Sequence, residues 1–262
     1  MTDATRRFDA TATASALLAV RRGSARLASL PRELRPPDLA AAYAVQLALL
    51  DLMHSDTAGY KASLFDAGDG ACAPLPANAV VDAPAYTQVL RPPLLDPPPY
   101  GVEAEVAFRL GHDLPPLAPG AQYDRATVCA AVASAHAVIE VIASRYVDAD
   151  AVSKLERIAD ALLNSLLVVG PSLPDWQSLP LTALPLEVRV QGRPTHQAIG
   201  GHPQGDPVIP LVWLANHLSR LGRGLRAGQI ITTGSCCPVQ SVLPEQSVTA
   251  HFAGLGSSVV TF

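Results

Sequence analysis

The sequence feature that most constrains this chain is an apolar segment interrupted by two acids, Glu103 and Glu105. In a β-strand successive side chains point to opposite faces, so the two acids share one face, while Val102, Ala104 and Val106 point into a core. Two buried carboxylates side by side repel each other and need a proton, a cationic partner or a metal. A divalent ion that prefers oxygen ligands, Mg²⁺ or Mn²⁺, would satisfy a buried pair. The alternative is that this strand face is exposed to solvent, where the two glutamates need no partner other than water.

Composition suits an enzyme that acts on small molecules but does not require one. The chain has 262 residues, 49% of them hydrophobic, which is ample for a packed core. Its net charge is -4 and it has no basic run, so a nucleic-acid partner is not expected. No apolar run is long enough to cross a bilayer, and no membrane association is expected. The four cysteines lack CxxC spacing, and reduced thiols in a cytoplasmic protein are the expectation.

Hydrophobic periodicity predicts one domain over 1–262, β-rich with peripheral helices. An N-terminal helical part covers about 1–55, and further helices are expected over 125–137 and at about 206–222. Short strands separated by Gly and Pro turns fill the rest. The Pro-rich stretch 91–100 predicts an extended surface loop.

Two more charged residues lie inside apolar, strand-like segments. Glu140 interrupts a β-branched run, as Glu103 and Glu105 interrupt theirs. Lys61 lies in a short strand after the second helix. A lone lysine there is either a protective charge on an edge strand or a buried amine whose pKa is tuned by its surroundings.

Several segments together resemble the fumarylacetoacetate hydrolase superfamily, and within it the 2-keto-4-pentenoate hydratase / 4-oxalocrotonate decarboxylase branch. In chain order the segments are 42–46, 59–61, 102–108, 111–115, 139–141 with 144–146, 213–216 and 225–235. The acid-x-acid segment and the Ala-Gly…Thr-Gly-Ser segment are the more specific ones. The resemblance implies an α+β fold: a β-rich mixed-sheet roll or sandwich of the fumarylacetoacetate hydrolase C-terminal type, with peripheral helices.

The resemblance also implies a site. Glu103, Glu105 and Glu140 match the carboxylates that hold a divalent metal in the family, Mg²⁺ or Mn²⁺, and Lys61 matches its catalytic strand lysine. Substrate-binding roles fall to three further residues. They are Thr233, Ser235 and Asn164.

The reaction implied is that of a metal-dependent lyase of aromatic catabolism, a hydratase. It adds water to a 2-hydroxy-dienoate or 2-keto-4-enoate through a metal-bound enolate. The alternatives are a decarboxylase of a 2-oxo dicarboxylate, an acylpyruvate C–C hydrolase on the same scaffold, and a catalytically silent partner of a paralogous enzyme. The family implies a homo-oligomer, with a hetero-complex with a paralogous enzyme as the alternative, and a small 2-keto acid as substrate.

Departures from the family pattern flank the matched residues. Ala62, Ser63 and Leu64 replace the Gly-x-Thr-Ser run that follows the family lysine, and an Ala-Leu-Leu-Asn run over 161–164 replaces a Ser/Gly-rich one. A smaller or more apolar pocket is therefore expected. No histidine has metal-ligand spacing with another, and all seven are left out of the predicted site.

Overall fold

Five α-helices lie within the residues that the computed structural model describes, which are 8–65, 69–83 and 100–262. Aspartate or serine side chains cap the first four helices at their N-termini, because they accept hydrogen bonds from backbone N–H groups left free there. In these ranges no helix is long and apolar enough to span a membrane. The helices are α1 (Ala10–Arg21), α2 (Leu39–Met53), α3 (Arg125–Ala130), α4 (Lys154–Ala159) and α5 (Val208–Arg220).

The described ranges hold twelve strands in two sheets. The first six are β1 (Thr57–Leu64), β2 (Gly70–Pro76), β3 (Val80–Asp82), β4 (Tyr100–Leu110), β5 (Val132–Ile142) and β6 (Asn164–Val169). The others are β7 (Pro185–Val190), β8 (Arg193–Ile199), β9 (Ile230–Ser235), β10 (Gln240–Val242), β11 (Ser247–Phe252) and β12 (Gly256–Thr261).

The larger sheet is mixed and has the order β2-β1-β9-β4-β5-β6-β3, with β10 paired to β4. The smaller sheet has the order β12-β11-β7-β8 and is antiparallel. It packs on β5 and β6, where the Ser258 hydroxyl donates to the Val168 carbonyl at 3.0 Å. The predicted mixed-sheet sandwich with peripheral helices is confirmed.

Strand β4 separates the core from the acids. Val102, Ala104 and Val106 are buried together with Val188 and Val248 of the smaller sheet. Burial of such side chains stabilises each by about 1.5–3 kcal/mol relative to exposure. Because side chains alternate along the strand, this packing forces the acids onto the opposite face.

The N-terminal helices α1 and α2 pack against each other, and α2 also packs on β2 of the larger sheet and on α4. Gln46 on α2 donates through its side-chain amide to the carbonyls of Cys72 on β2 and Ile158 on α4. A polar side chain thus ties α2 to two other elements inside the core. The assignment of 1–262 to a single domain stays a prediction.

The predicted helix over 125–137 is wrong beyond its first turns. Helix α3 ends at Ala130 and β5 begins at Val132, so His136 lies on a strand. Alanine favours helices in isolation, but β5 pairs with β4 along its whole length, and these tertiary contacts override local propensity. Of the predicted Pro-rich loop, 91–99 lies outside the described residues, and Tyr100 already belongs to β4.

Candidate active site

The three predicted metal ligands meet on one face of the larger sheet. Glu103 and Glu105 lie on β4, and Glu140 lies on β5 directly opposite Glu103 in the antiparallel register. One carboxylate oxygen from each residue lies within 4.8 Å of the others. Two neighbouring strands therefore assemble an all-carboxylate cluster from distant parts of the chain.

The cluster is largely buried, and its three acids face one lysine, Lys61. Glu105 is 2% exposed and Glu140 is fully buried. Burial and the charges of Glu140 and Glu103 raise the pKa of Glu105 to about 8. Burial also raises the pKa of Glu103 to about 7, although the Lys61 charge opposes this. Glu140 Oε2 has no hydrogen-bond partner among the described residues. Hard oxygen donors, unbalanced charge and an unpartnered oxygen together fit a divalent cation.

Lys61 is a buried amine beside this cluster. Its Nζ lies 2.7 Å from Glu140 Oε1 and donates to the Leu162 carbonyl at 2.9 Å. Strand β1 runs between β2 and β9, so the edge-strand interpretation of this lysine is wrong. Burial alone would lower the pKa of Lys61, but the carboxylates of Glu140, Glu103 and Glu105 outweigh burial and raise it.

A left-handed turn places the Leu162 carbonyl within hydrogen-bond distance of Lys61. Ala161, Leu162 and Leu163 have φ angles of 51°, 51° and 65°, which are unfavourable for residues with a Cβ. Each such residue costs roughly 1–2 kcal/mol. The fully buried ion pair between Arg145 and Asp160 holds the start of the turn, because the Arg145 guanidinium also donates to the Asp160 carbonyl.

The predicted substrate-binding residues border the cluster, and each has protein partners. The Thr233 hydroxyl donates to the Val106 carbonyl at 2.7 Å, and the Ser235 hydroxyl donates to the Cys237 carbonyl at 2.7 Å. Asn164 is fully buried, and its amide donates to Glu140 Oε1 at 3.1 Å. Their substrate-binding roles stay predictions.

A cavity of about 460 Å³ opens above Lys61 and Glu103. Its wall is largely apolar, in agreement with the predicted loss of polar residues around Lys61 and over 161–164. Two cationic side chains, Lys154 and Arg157, lie at its rim. The apolar wall consists of Phe65, Ile142, Ile158, Leu162 and Leu163.

One residue that sequence reasoning left out lies next to the site. His202 is buried, and its Nε2 lies 2.8 Å from the Thr233 carbonyl oxygen. The only signal in the sequence was its place in a Gly-rich loop just before the last long helix.

Comparison with known proteins agrees with this geometry. No family model matches the chain. A 2-keto-4-pentenoate hydratase from Burkholderia vietnamiensis is 34% identical over 161 residues, which cover 62% of this chain and 60% of the hydratase. The chain thus matches about 56–60% of the length of the first curated relatives.

A solved 4-oxalocrotonate decarboxylase from Pseudomonas putida G7, complexed with magnesium and adipate, superposes with a TM-score of 0.80 over 97% of each chain, at 20% identity. The chain has the fumarylacetoacetate hydrolase-type fold. A fumarylpyruvate hydrolase from Pseudomonas aeruginosa, in complex with Mn²⁺ and pyruvate, superposes less closely. It has a TM-score of 0.56 and 16% identity over 77% of this chain and 87% of that one. The resemblance to the hydratase and decarboxylase branch of this superfamily is confirmed.

Proposed function

We propose that this chain is a divalent-metal-dependent hydratase that adds water to a 2-hydroxy-dienoate or 2-keto-4-enoate. The observation that carries the proposal is the buried carboxylate cluster with Lys61 at the base of a cavity. Sequence relatives named 2-keto-4-pentenoate hydratase support the reaction class.

Glu103, Glu105 and Glu140 would hold Mg²⁺ or Mn²⁺, because both ions prefer carboxylate oxygens. A metal held by these residues would supply Lewis-acid polarisation of a 2-keto acid substrate. The rest of the chemistry falls to the protein side chains around the cavity.

In the proposed reaction, the side chain of Lys61 carries the proton that is exchanged with the substrate. The neighbouring carboxylates favour its ammonium form, so it begins the cycle as an N–H donor and a positive charge beside the substrate. Among the described residues, Glu140 and the Leu162 carbonyl accept two of its N–H groups. An ammonium has three, so one N–H remains for a substrate atom.

The apolar wall selects the substrate and limits water. Ile142, Ile158 and Leu162 line the cavity next to Lys61 and offer no hydrogen bonds. A hydrocarbon tail therefore suits this wall better than a hydroxylated one. Exclusion of bulk water strengthens the electrostatic contact between Lys61 and a bound anion.

The test compares Glu105→Gln with Glu187→Gln, in which a strand carboxylate of the smaller sheet is changed. Mn²⁺ binding is measured by calorimetry, and turnover of 2-hydroxypentadienoate by its ultraviolet absorbance. We expect Glu105→Gln to weaken Mn²⁺ binding and to lower turnover, each by about 100-fold or more, because a charged ligand becomes a neutral amide. Glu187→Gln should match the unsubstituted protein. Full Mg²⁺-dependent turnover by Glu105→Gln would refute the proposal.

One observation favours a second candidate, decarboxylation of a 2-oxo dicarboxylate. Lys154 and Arg157 lie at the cavity rim, where they can meet a distal carboxylate, although each also pairs with a surface aspartate. Three results would establish this candidate over hydration. The protein should release CO₂ from a 2-oxo dicarboxylate, its KM for this diacid should be lower than its KM for the monoacid, and Arg157→Ala should raise the KM for the diacid.

The assembly and location of the chain remain predictions from the resemblance and the composition. They are a homo-oligomer or a complex with a paralogous enzyme, in the cytoplasm. Light scattering on the purified protein, alone and mixed with the paralogue, tests the assembly.

A further inference from the structure

A β-bulge lies beside the carboxylate cluster. The pairing of β9 with β4 passes from Thr232 opposite Ala107 to Ser235 opposite Glu105, so Thr233 and Gly234 together face a single residue of β4. A bulge frees peptide groups from the regular ladder. Here the freed Gly234 N–H donates to Glu105 Oε2 at 2.9 Å, so a backbone group holds a candidate metal ligand.

His202 holds the other end of the same peptide. Its Nε2 lies 2.8 Å from the Thr233 carbonyl oxygen, and the Gln204 N–H donates to its Nδ1 at 3.1 Å. A carbonyl only accepts and a backbone N–H only donates, so Nε2 carries the proton and Nδ1 does not. Burial lowers the pKa of His202, which favours this neutral form.

A glycine permits this approach. Gly201 has a φ of +97°, and a Cβ at this position would lie 2.8 Å from the Cys236 carbonyl oxygen. The loop that carries His202 can therefore lie directly against the end of β9. A side chain at position 201 would lift the loop and withdraw the imidazole from Thr233.

We propose that His202 is a positioning residue of the carboxylate cluster: its imidazole fixes the Thr233–Gly234 peptide, whose N–H in turn fixes Glu105. The role in metal binding rests on the proposed function, while the link from imidazole to peptide does not. Groups that orient metal ligands from behind typically change metal affinity by about 10–100-fold when they are removed.

The test uses His202→Phe, which keeps a planar ring without a donor, and His202→Gln, which returns an N–H donor. His136→Phe is the matched control. His136 is also buried, but its ring contacts the Ser134 hydroxyl at 2.9 Å and the Gly170 carbonyl at 2.8 Å, and neither residue belongs to the bulge. Three quantities are measured: the Mn²⁺ dissociation constant, the Gly234 amide resonance in metal-free protein, and the unfolding temperature.

His202→Phe should weaken Mn²⁺ binding by about 10-fold or more and shift the Gly234 amide resonance, and His202→Gln should reverse much of both effects. His136→Phe should lower the unfolding temperature without either effect. Wild-type Mn²⁺ affinity and an unmoved Gly234 resonance in His202→Phe would overturn the proposal. If the unsubstituted protein binds no Mn²⁺, the proposed function fails and the metal-site role fails with it, while the Gly234 resonance still decides the link from imidazole to peptide.

If His202→Phe does not fold, a second variant and a measurement on the unsubstituted protein still test the proposal. Gly201→Ala changes no residue of the cluster and should weaken Mn²⁺ binding in the same direction. Nitrogen NMR of the unsubstituted protein should show that the imidazole of His202 is protonated at Nε2 and unprotonated at Nδ1. Protonation at Nδ1, or Mn²⁺ affinity unchanged in Gly201→Ala, would count against the proposal.

Discussion

The ammonium of Lys61 and the carboxylate of Glu140 lie 2.7 Å apart, although β9 and β4 run between their two strands in the larger sheet. Both side chains are buried, so Lys61 is a buried cationic partner of Glu140 and offsets part of the negative charge of the carboxylate cluster. Removing one partner of a buried ion pair leaves an uncompensated charge, which is strongly destabilising.

The first prediction concerns Lys61→Met, which keeps the length of the side chain and removes its charge. We expect the metal-free variant to unfold at a lower temperature, because Glu140 loses its cation. Mn²⁺ should raise the unfolding temperature more in the variant than in the unsubstituted protein, since ligand binding stabilises the folded state. Turnover should fall by about 100-fold or more because the proton carrier is gone.

Calorimetry and thermal unfolding with and without Mn²⁺ check this prediction, with Lys154→Met as the control for stability. Lys154 is a half-exposed lysine that pairs with Asp69, and exposed pairs contribute little to stability. Loss of Mn²⁺ binding in Lys61→Met, in parallel with turnover, would instead make the lysine a structural support of the cluster.

The second prediction concerns the strained turn. Leu162 has a φ of 51° and a ψ of 40°, a conformation that glycine adopts freely. Leu162→Ala and Leu162→Gly lose nearly the same side-chain contacts, so their difference isolates the backbone. We expect the glycine variant to be more stable than the alanine variant by about 1 kcal/mol in urea unfolding. Greater stability of the alanine variant would mean that the turn is not left-handed.

The third prediction concerns Asn164, which donates to Glu140 Oε1. In Asn164→Leu the carboxylate loses this donor, and we expect Mn²⁺ binding to weaken by about 10-fold with little change in the KM measured at saturating metal. The opposite pattern, a raised KM with unchanged Mn²⁺ affinity, would establish the substrate-binding role that the family resemblance implies.

The fourth prediction is a pH dependence of stability through His217. This imidazole stacks on Trp213 with ring centroids 4.6 Å apart, and burial lowers its pKa to about 4. The unfolded chain binds a proton near pH 6.5, so between pH 6.5 and 4 acid favours unfolding. The stability from neutral His217 is therefore complete above pH 6.5 and is lost as the pH falls toward 4.

Replacement by phenylalanine keeps the ring contact and removes the titration. Between pH 7 and pH 5 the unsubstituted protein should lose about 1–2 kcal/mol more stability than His217→Phe, as measured by urea unfolding. Equal losses in the two proteins would show that His217 titrates normally in the folded state. The comparison cancels the contributions of the other buried histidines, which both proteins share.

The acids of the cluster could be predicted because their signal is local. A charged residue inside an apolar strand is conspicuous, and the alternation of a strand fixes which face it occupies. Glu103, Glu105, Glu140 and Lys61 were all found in this way, and the family order then joined them into one site. The strand patterns predicted a β-rich domain with peripheral helices, and the family resemblance implied the mixed sheet.

Features that depend on long-range contacts could not be predicted. The alanine-rich run before Val138 favours a helix locally and becomes a strand because β4 pairs with it. His202 acts on a bulge formed by residues about 30 positions away, and a lone histidine carries no sign of such a contact. The left-handed turn at Leu162 is held by Arg145 and Asp160, and nothing in an Ala-Leu-Leu sequence indicates it.

The order β1-β9-β4 has a consequence for how the protein is made. Strand β9 is synthesised more than a hundred residues after β4, yet it lies between β4 and the strand that carries Lys61. On the ribosome, the segments with the acids and the lysine emerge before the strand that separates them in the sheet. Such late insertion requires closure of long loops and slows folding. The β4–β5 pair can therefore bring the three acids together early, whereas Lys61 reaches them in the sheet only after β9 has been synthesised and inserted.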